Sequence, residues 1–325
     1  MKKYLTLLLS SALCLGLISC GEQAPTGEAE ETQVVEETQV VEESQDAGFK
    51  INYLGQEYAF DKKVENVVLA SLEGMEDAAA LGIDAVGVLE VAGEVPSYLA
   101  EYFKDVTLVG DKRTPNPEVI LGLDPDLIVG TSKWGEETFA QLNKIAVTLP
   151  YSHISTDWKD NILALGEITG KTEEANKLIS DYEAKTTEAK DKLAKGFVDK
   201  TILVIRVRAG LMNIYPADTY LNPVLYTDLG LKVPEVLAEA KAQAELTVET
   251  LAQVNPDVIF LQFETSENPD NQGALDELLA NPIFNSTNAA KNEKVFVNTI
   301  EPLAQGGTAW SKVKFLDVAV ESLLK

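Results

Sequence analysis

Apolar residues in this chain fall in short runs separated by stretches of helical spacing. NVVLAS (66–71) has the length and branched-residue content of a buried strand, MEDAAALG (75–82) predicts a helix stopped by Gly82, and AVGVLE (85–90) a second strand. VTLVG (106–110), a helix over 117–123 and the strand DLIVGT (126–131) continue the alternation. Pro125 closes that helix, because the residue before a proline avoids helical backbone angles. Continuous apolar runs alternating with helices predict a parallel sheet covered on both faces.

From 157 the pattern changes. DWKDNILALGEITGKTEEANKLISDYEAKTTEAKDKLAKG predicts a helix, a break at Gly170 and then one helix of about 24 residues ending at Gly196, rich in strong helix formers. A polar helix of that length suits a strut between two domains. The alternation then restarts. TILVIRVR (201–208) is a strand with LMNIYP (211–216) as its partner, and a helix over 219–229 stops at Leu229-Gly230 as the earlier one stops at Leu81-Gly82. PDVIFLQF (256–263), a helix over 273–280, KVFVN (294–298) and a last helix over 309–324 complete the chain. The predicted fold class is α/β: two related Rossmann-like lobes joined by one long rigid helix. The N-terminal lobe spans 49–156, the connecting helix 157–196 and the C-terminal lobe 197–325.

One short device occurs in both halves. PEVILGLDPDLIVG (117–130) returns as VETLAQVNPDVIFL (248–261), and in each a Glu stands seven residues before Pro-Asp. Pro117 suits a first helical position and Thr247 an N-cap. An acid in the first turn favours the helix dipole by about 0.3–1 kcal/mol. Almost any acid in the turn would satisfy that preference. The matched placement of Glu118 and Glu249 points further, to two acidic knobs offered to a two-fold symmetric partner.

The first residues change the picture of where the protein works. MKKY followed by LTLLLSSALCLGLI has the charge and apolar core of a secretory signal, expected over 1–19, and Leu17-Ile18-Ser19-Cys20 resembles a bacterial lipobox. Cys20 would then be the lipidated first residue of the mature protein. Only Cys14 and Cys20 are cysteines, so the exported protein has no thiol for a disulfide. Residues 20–48 hold ETQVVEETQVVEE and many acids, the composition of a disordered tether; an acidic interaction tail is the alternative.

The formal charge is −25, which excludes nucleic acid as a partner. An anionic ligand needs a local basic cluster, and screening over roughly 8 Å lets such a cluster act against the distant acids. Arginine occurs only at Arg113, Arg206 and Arg208. Arg206 and Arg208 share one face of a strand and stand at its carboxyl end. Lys112 and Lys133 follow two strands of the first half, and Lys241 lies before the second Glu helix. Ligands of open α/β sheets bind at that edge. The placement points to an anion site between the lobes, built from Lys112, Lys133, Arg206, Arg208 and Lys241. Solvated lysines and arginines paired with nearby acids are the plainer alternative.

His153 is the only histidine, too little for a zinc site, and is expected in a hinge loop or on the surface. Trp134, Tyr215 and Trp310 are candidate pocket walls, and Gly306-Gly307 before Thr308 suits close backbone approach at a helix start. No phosphate-loop, dinucleotide, nucleophile-elbow or zincin motif occurs. The sequence predicts no enzyme.

IRVRAGLMNIYP (205–216), LYTDLGLKVPE (225–235) and PLAQGGTAWSKVKFL (302–316) carry a resemblance. Over 50–325 the chain resembles the siderophore- and cobalamin-binding lipoproteins of ABC importers, most of all the Gram-positive binders of ferric bacillibactin and related tricatecholates. The resemblance implies a class III substrate-binding fold and a monomer lipid-anchored to the outer face of the cytoplasmic membrane. Its ligand would be a ferric tricatecholate such as bacillibactin or enterobactin, with no cofactor or protein-borne metal. It also implies that Lys112, Lys133 and Arg208 hold the anion, with Arg206 and Lys241 as further contacts. Glu118 and Glu249 would dock on a dimeric permease coupled to an ATPase. Other expectations stay open: a citrate-type siderophore or haem as ligand, an extracytoplasmic enzyme, or an adhesin.

Overall fold

The computed structural model describes residues 48–325 apart from 195 and 198; the leader, Cys20 and the acidic tether up to 47 lie outside the described residues. A hairpin of β1 (Phe49–Tyr53) and β2 (Gln56–Phe60) comes first. Its alternation of buried and exposed positions was present in the sequence and not assigned there.

The first sheet is wholly parallel. It contains β3 (Val67–Leu69), β4 (Gly87–Glu90), β5 (Thr107–Asp111), β6 (Leu127–Val129) and β7 (Val147–Leu149), in the order β5-β4-β3-β6-β7. Chain order reverses at β3, so the crevice beyond the carboxyl ends of β3 and β6 is the switch point where such sheets bind ligands. Helices α1 (Leu72–Leu81), α2 (Pro117–Gly122) and α3 (Glu136–Leu142) connect these strands.

The link to the second half is α4 (Trp158–Thr169) and α5 (Thr172–Leu193), broken at Gly170 as expected. The long helix ends at Leu193, short of the expected Gly196. It is also no free rod: Ala175, Tyr182, Thr186, Ala189 and Leu193 bury one face.

The second sheet contains β8 (Ile202–Arg208), β9 (Leu211–Ile214), β10 (Ala244–Glu245), β11 (Val258–Phe263) and β12 (Val295–Val297), ordered β10-β9-β8-β11-β12. β8, β11 and β12 are parallel, whereas β9 is antiparallel to both β8 and β10. The cause is local. Ala209 and Gly210 both take positive φ, 50° and 79°, which makes a two-residue hairpin where the first half has a helical crossover. A Cβ on Gly210 would also lie 2.8 Å from the Asn271 side chain. The sequence predicts a helix over 219–229, and the structure corrects this to a single π-turn over 224–228, closed by Leu229 N–H donating to Val224 O. Asn222 and Pro223 lead into this turn with helical backbone, but Tyr220 at φ 61° breaks any helix that would start at 219.

The remaining helices are α6 (Glu235–Ala238), α7 (Val248–Val254), α8 (Ala274–Ala280), α9 (Asn288–Lys291) and α10 (Ala309–Leu324). α10 packs against α1 of the first lobe and against α5. Lys312 of α10 is 1% exposed and donates to Asp228 Oδ2 at 2.6 Å, as does the Tyr182 hydroxyl of α5. Its ammonium stands 5.4 Å from the ring centres of Trp158 and Tyr182. A buried ammonium is tolerated only with such partners.

The repeated sequence device has a structural half. Asp126 Oδ2 accepts the N–H groups of Glu65 and Asn66 just before β3, and Asp257 Oδ2 accepts that of Thr201 just before β8. Lys62 and Lys200 pair with the same two aspartates. Each Pro-Asp therefore pins the start of the central strand beside it.

Candidate functional site

A cavity of about 680 Å³ opens where the carboxyl ends of the two sheets face each other. Lys112 reaches it from the end of β5, and Lys133 and Trp134 from the turn after β6. Arg206 and Arg208 enter from β8, and Lys241 from the loop before β10. The five basic residues singled out in the sequence thus line one gap, together with Arg113. Glu118 and Glu249 do not line it. They are exposed, each the second residue of its helix, α2 and α7.

The two arginines differ. Arg206 is buried, its Nε donates to Glu267 Oε2 at 2.9 Å, and its guanidinium lies 5.0 Å from the Tyr220 ring centre. Burial works against its charge, but Tyr220 and Glu267 overcome that and raise its pKa. Arg208 is half-buried. It pairs with Glu267 Oε1 at 3.3 Å, and its Nη1 donates to Gln243 Oε1 at 2.8 Å. Gln243 also accepts from the Tyr215 hydroxyl and donates to Asn213 Oδ1, so its amide is fixed on three sides. The acid-pairing alternative thus describes the arginines' own contacts, and both arginines line the cleft while sharing one carboxylate.

On the other wall Lys133 Nζ donates to Glu73 Oε1 at 2.7 Å; Glu73 stands in the first turn of α1. Lys112 is exposed by surface area, yet the walls around it strip enough water to lower its pKa. Arg208 and Arg206 of the opposite wall lower it further, while Glu267 raises it. That mutual influence places Lys112 within electrostatic reach of the second lobe's charges. Trp134 donates its indole N–H to Lys112 O at 3.1 Å, and its ring lies over Gly130, where a Cβ would come within 2.4 Å of it.

One sequence expectation needs correction. Trp310 does not face the cleft; its ring packs at a tilt against Tyr98, centroids 5.2 Å apart, and lines a separate groove with Tyr102, Leu178 and Val313, because α10 turns that face toward α1 and α5. His153 is exposed in the loop after β7, as expected, and there it also lines the cleft, its Nδ1 2.7 Å from Ser132 Oγ. Burial and the nearby Lys133 lower its pKa, so the ring is neutral at pH 7.

Glu73, Glu267, Gln243 and Tyr220 were not found from sequence. A buried arginine requires an acid partner, but nothing in local spacing identifies which one. Gly306 and Gly307 do serve close approach: a Cβ on the first would lie 2.5 Å from the Tyr220 carbonyl carbon, and on the second 2.8 Å from Ser155 Oγ. Among the described residues no group of His, Cys, Asp and Glu is arranged to hold a metal ion. Chemically the cleft offers ammonium and guanidinium donors and aromatic faces to a compact anion.

The profile of a family described as periplasmic binding proteins matches residues 67–299. The chain is 43% identical over 279 residues to the iron-uptake system-binding protein of Bacillus subtilis strain 168, covering 84% of this chain and 87% of that protein. It is similar, with a TM-score of 0.79 and 41% identity over 85% of this chain and 98% of the other, to the crystal structure of the triscatecholate siderophore binding protein FeuA from Bacillus subtilis with ferri-bacillibactin. Staphylococcus aureus SirA with staphyloferrin B gives a TM-score of 0.72 and 27% identity over 85% and 98%. The matched span 67–299 contains every basic residue of the cleft.

Proposed function

The chain belongs to the periplasmic binding protein family, and on that premise we propose that it captures a ferric tricatecholate siderophore between its lobes and delivers it to an ABC importer. The observation that carries this reading is the convergence of Lys112, Lys133, Arg206, Arg208 and Lys241, from both sheets, on one cavity. Three catecholates give Fe³⁺ six anionic oxygens and leave a complex of charge −3. Such a ligand brings its own metal coordination and asks the protein only for cations and ring faces. Lys112, Lys133, Lys241 and Arg208 supply charge-assisted hydrogen bonds to catecholate oxygens. Arg206, committed to Glu267 and Tyr220, supports Arg208 and adds to the local field. Trp134 and Tyr215 wall the complex. The similarity to a protein crystallised with ferri-bacillibactin supports the same ligand class.

No covalent step is involved; the protein is a carrier and not an enzyme, with no cofactor of its own. Glu118 and Glu249, one exposed acid per lobe, dock on the two halves of a dimeric permease driven by an ATPase. Lipid on Cys20 tethers the monomer to the outer face of the cytoplasmic membrane.

Titration with ferric bacillibactin, ferric enterobactin, a ferric citrate-type siderophore and haem, followed by tryptophan fluorescence, tests the reading. Saturable quenching by the tricatecholates is expected. Binding of the citrate-type complex or haem with none of either tricatecholate would replace it by transport of that chelate through the same basic cleft.

A further inference from the structure

We propose that Glu73 and Glu267 are specificity-determining residues: one buried carboxylate in each wall sets the net charge of the cleft, and with it the ligand charge the protein prefers. The inference rests on the anion-binding reading of the cleft. The first wall presents Lys112, Arg113 and Lys133 against Glu73, and the second presents Arg206, Arg208 and Lys241 against Glu267. Each wall therefore holds three cations and one carboxylate, a formal surplus of two positive charges. His153 adds none at pH 7, since its pKa is lowered. A complex of charge −3 exceeds the surplus of either wall alone and falls within the four positive charges that the two walls leave together.

Two carboxylates inside an anion cleft need a reason, because each repels the ligand. Their side chains are only 6% and 7% exposed, so water screens them little. Holding the arginines accounts for part of Glu267, whose partner Arg206 is buried. It does not account for Glu73, whose partner Lys133 is 51% exposed and needs no counter-ion to stay solvated. A cleft with all six cations uncompensated would grip the most highly charged anion best. Removing one charge per wall shifts the match toward a trianion.

The two roles leave different signatures. A change in cleft potential alters affinity in proportion to ligand charge. Loss of cation positioning weakens every anionic ligand that uses those cations. Glu73→Gln and Glu267→Gln in the full chain separate them, each titrated at low and high salt with three probes: a neutral ferric trihydroxamate, ferric tricatecholate and a more highly charged ferric citrate complex. The expected result is no change for the neutral complex, about a tenfold gain for the tricatecholate and a larger gain for the citrate complex, both shrinking in salt. Weaker tricatecholate binding in Glu73→Gln, or the same change for all probes, overturns the proposal. Should Glu267→Gln unfold for want of an Arg206 partner, Glu73→Gln decides alone. Absence of any anion binding by the wild type would instead sink the anion-site reading itself, and this inference with it.

Discussion

Glu76, buried on α1, accepts a hydrogen bond at 2.5 Å from the hydroxyl of Thr308, the N-cap of α10 and 232 residues further along the chain. Ser311 donates to the same carboxylate oxygen, and Tyr98 and the Gln305 N–H to the other. The adjacent Asp77 accepts from the Ala309 N–H and the Tyr151 hydroxyl. Two carboxylates thus meet the amino end of the last helix, where its dipole favours negative charge. Ser71, Leu72 and Gln305, at the two ends of this junction, line the cleft. The junction ties both walls to one buried, hydrogen-bonded contact.

Burial outweighs these hydrogen bonds. It pushes Glu76 up to about 7, and Asp77, which also feels the Glu76 charge, up to about 7. Both values exceed those of an unfolded chain, so between about pH 4 and 7 the folded protein binds more protons than the unfolded one. Stability from this junction therefore grows as pH falls through that window and is lost as pH rises to 7 and above. His153, with its lowered pKa, acts in the opposite sense below pH 6.5. The comparison that isolates the junction is wild type against Glu76→Gln in urea unfolding at pH 5 and pH 8. The variant is expected to lose much of the wild type's advantage at pH 5 and little at pH 8. Equal losses at both would show that Glu76 does not titrate there.

Arg206 and Arg208 are two residues apart and predict different losses. Arg208→Ala and Lys133→Ala remove partly exposed donors and are expected to weaken ligand binding by about 1–3 kcal/mol with the fold intact. Arg206→Ala leaves Glu267 buried with half its partners and empties the space under Tyr220. It is expected to destabilise the protein by about 3–5 kcal/mol. Paired measurements of affinity and urea midpoint check the separation; an Arg206→Ala protein as stable as wild type would return Arg206 to the role of a simple ligand contact.

The class of the fold was legible because both sheets are built on continuous apolar runs, and the cleft cations other than Lys241 because they sit at or just past strand ends that such runs mark. What escaped the sequence depends on contacts made over long separations. Glu267 finds Arg206 across 61 residues, and Lys133 finds Glu73 across 60, with no periodicity to announce either pair. The antiparallel β9 turned on the backbone angles of Ala209-Gly210, a two-residue matter beneath the scale of hydrophobic pattern. Trp310 was misplaced because which wall an aromatic faces follows from how α10 rotates against α1, and strand-end logic says nothing of helices. The π-turn at 224–228 was hidden by a periodicity that continues through Pro223.

Trp134 and Trp310 supply an internal control for binding. Trp134 lies on the cleft wall, while Trp310 lies in the groove against Tyr98. Ferric tricatecholate is expected to quench Trp134 more strongly, since the proposed cleft site would put it against that ring. Trp134→Phe should therefore remove a larger share of the ligand-induced signal than Trp310→Phe. The reverse order would place the ligand outside the cleft.

Glu118 and Glu249 test the repeated device. The ends of their helices are already capped without them: Asn116 Oδ1 accepts the N–H groups of Glu118 and Val119 at 3.2 Å, and Thr247 Oγ1 accepts that of Thr250 at 3.1 Å. Neither carboxylate has an ion-pair partner among the described residues. What each contributes to folding is limited to its interaction with the helix dipole, about 0.3–1 kcal/mol and less in salt. The pair Glu118→Ala, Glu249→Ala is therefore expected to fold, to bind ferric tricatecholate with wild-type affinity and to fail in siderophore-dependent iron uptake by cells. Each single variant should give an intermediate uptake rate, because one lobe would still engage its half of the permease. Normal uptake by the double variant would reduce both residues to helix-terminus acids, and the symmetry of the device would then reside only in Asp126 and Asp257, which pin the two central strands.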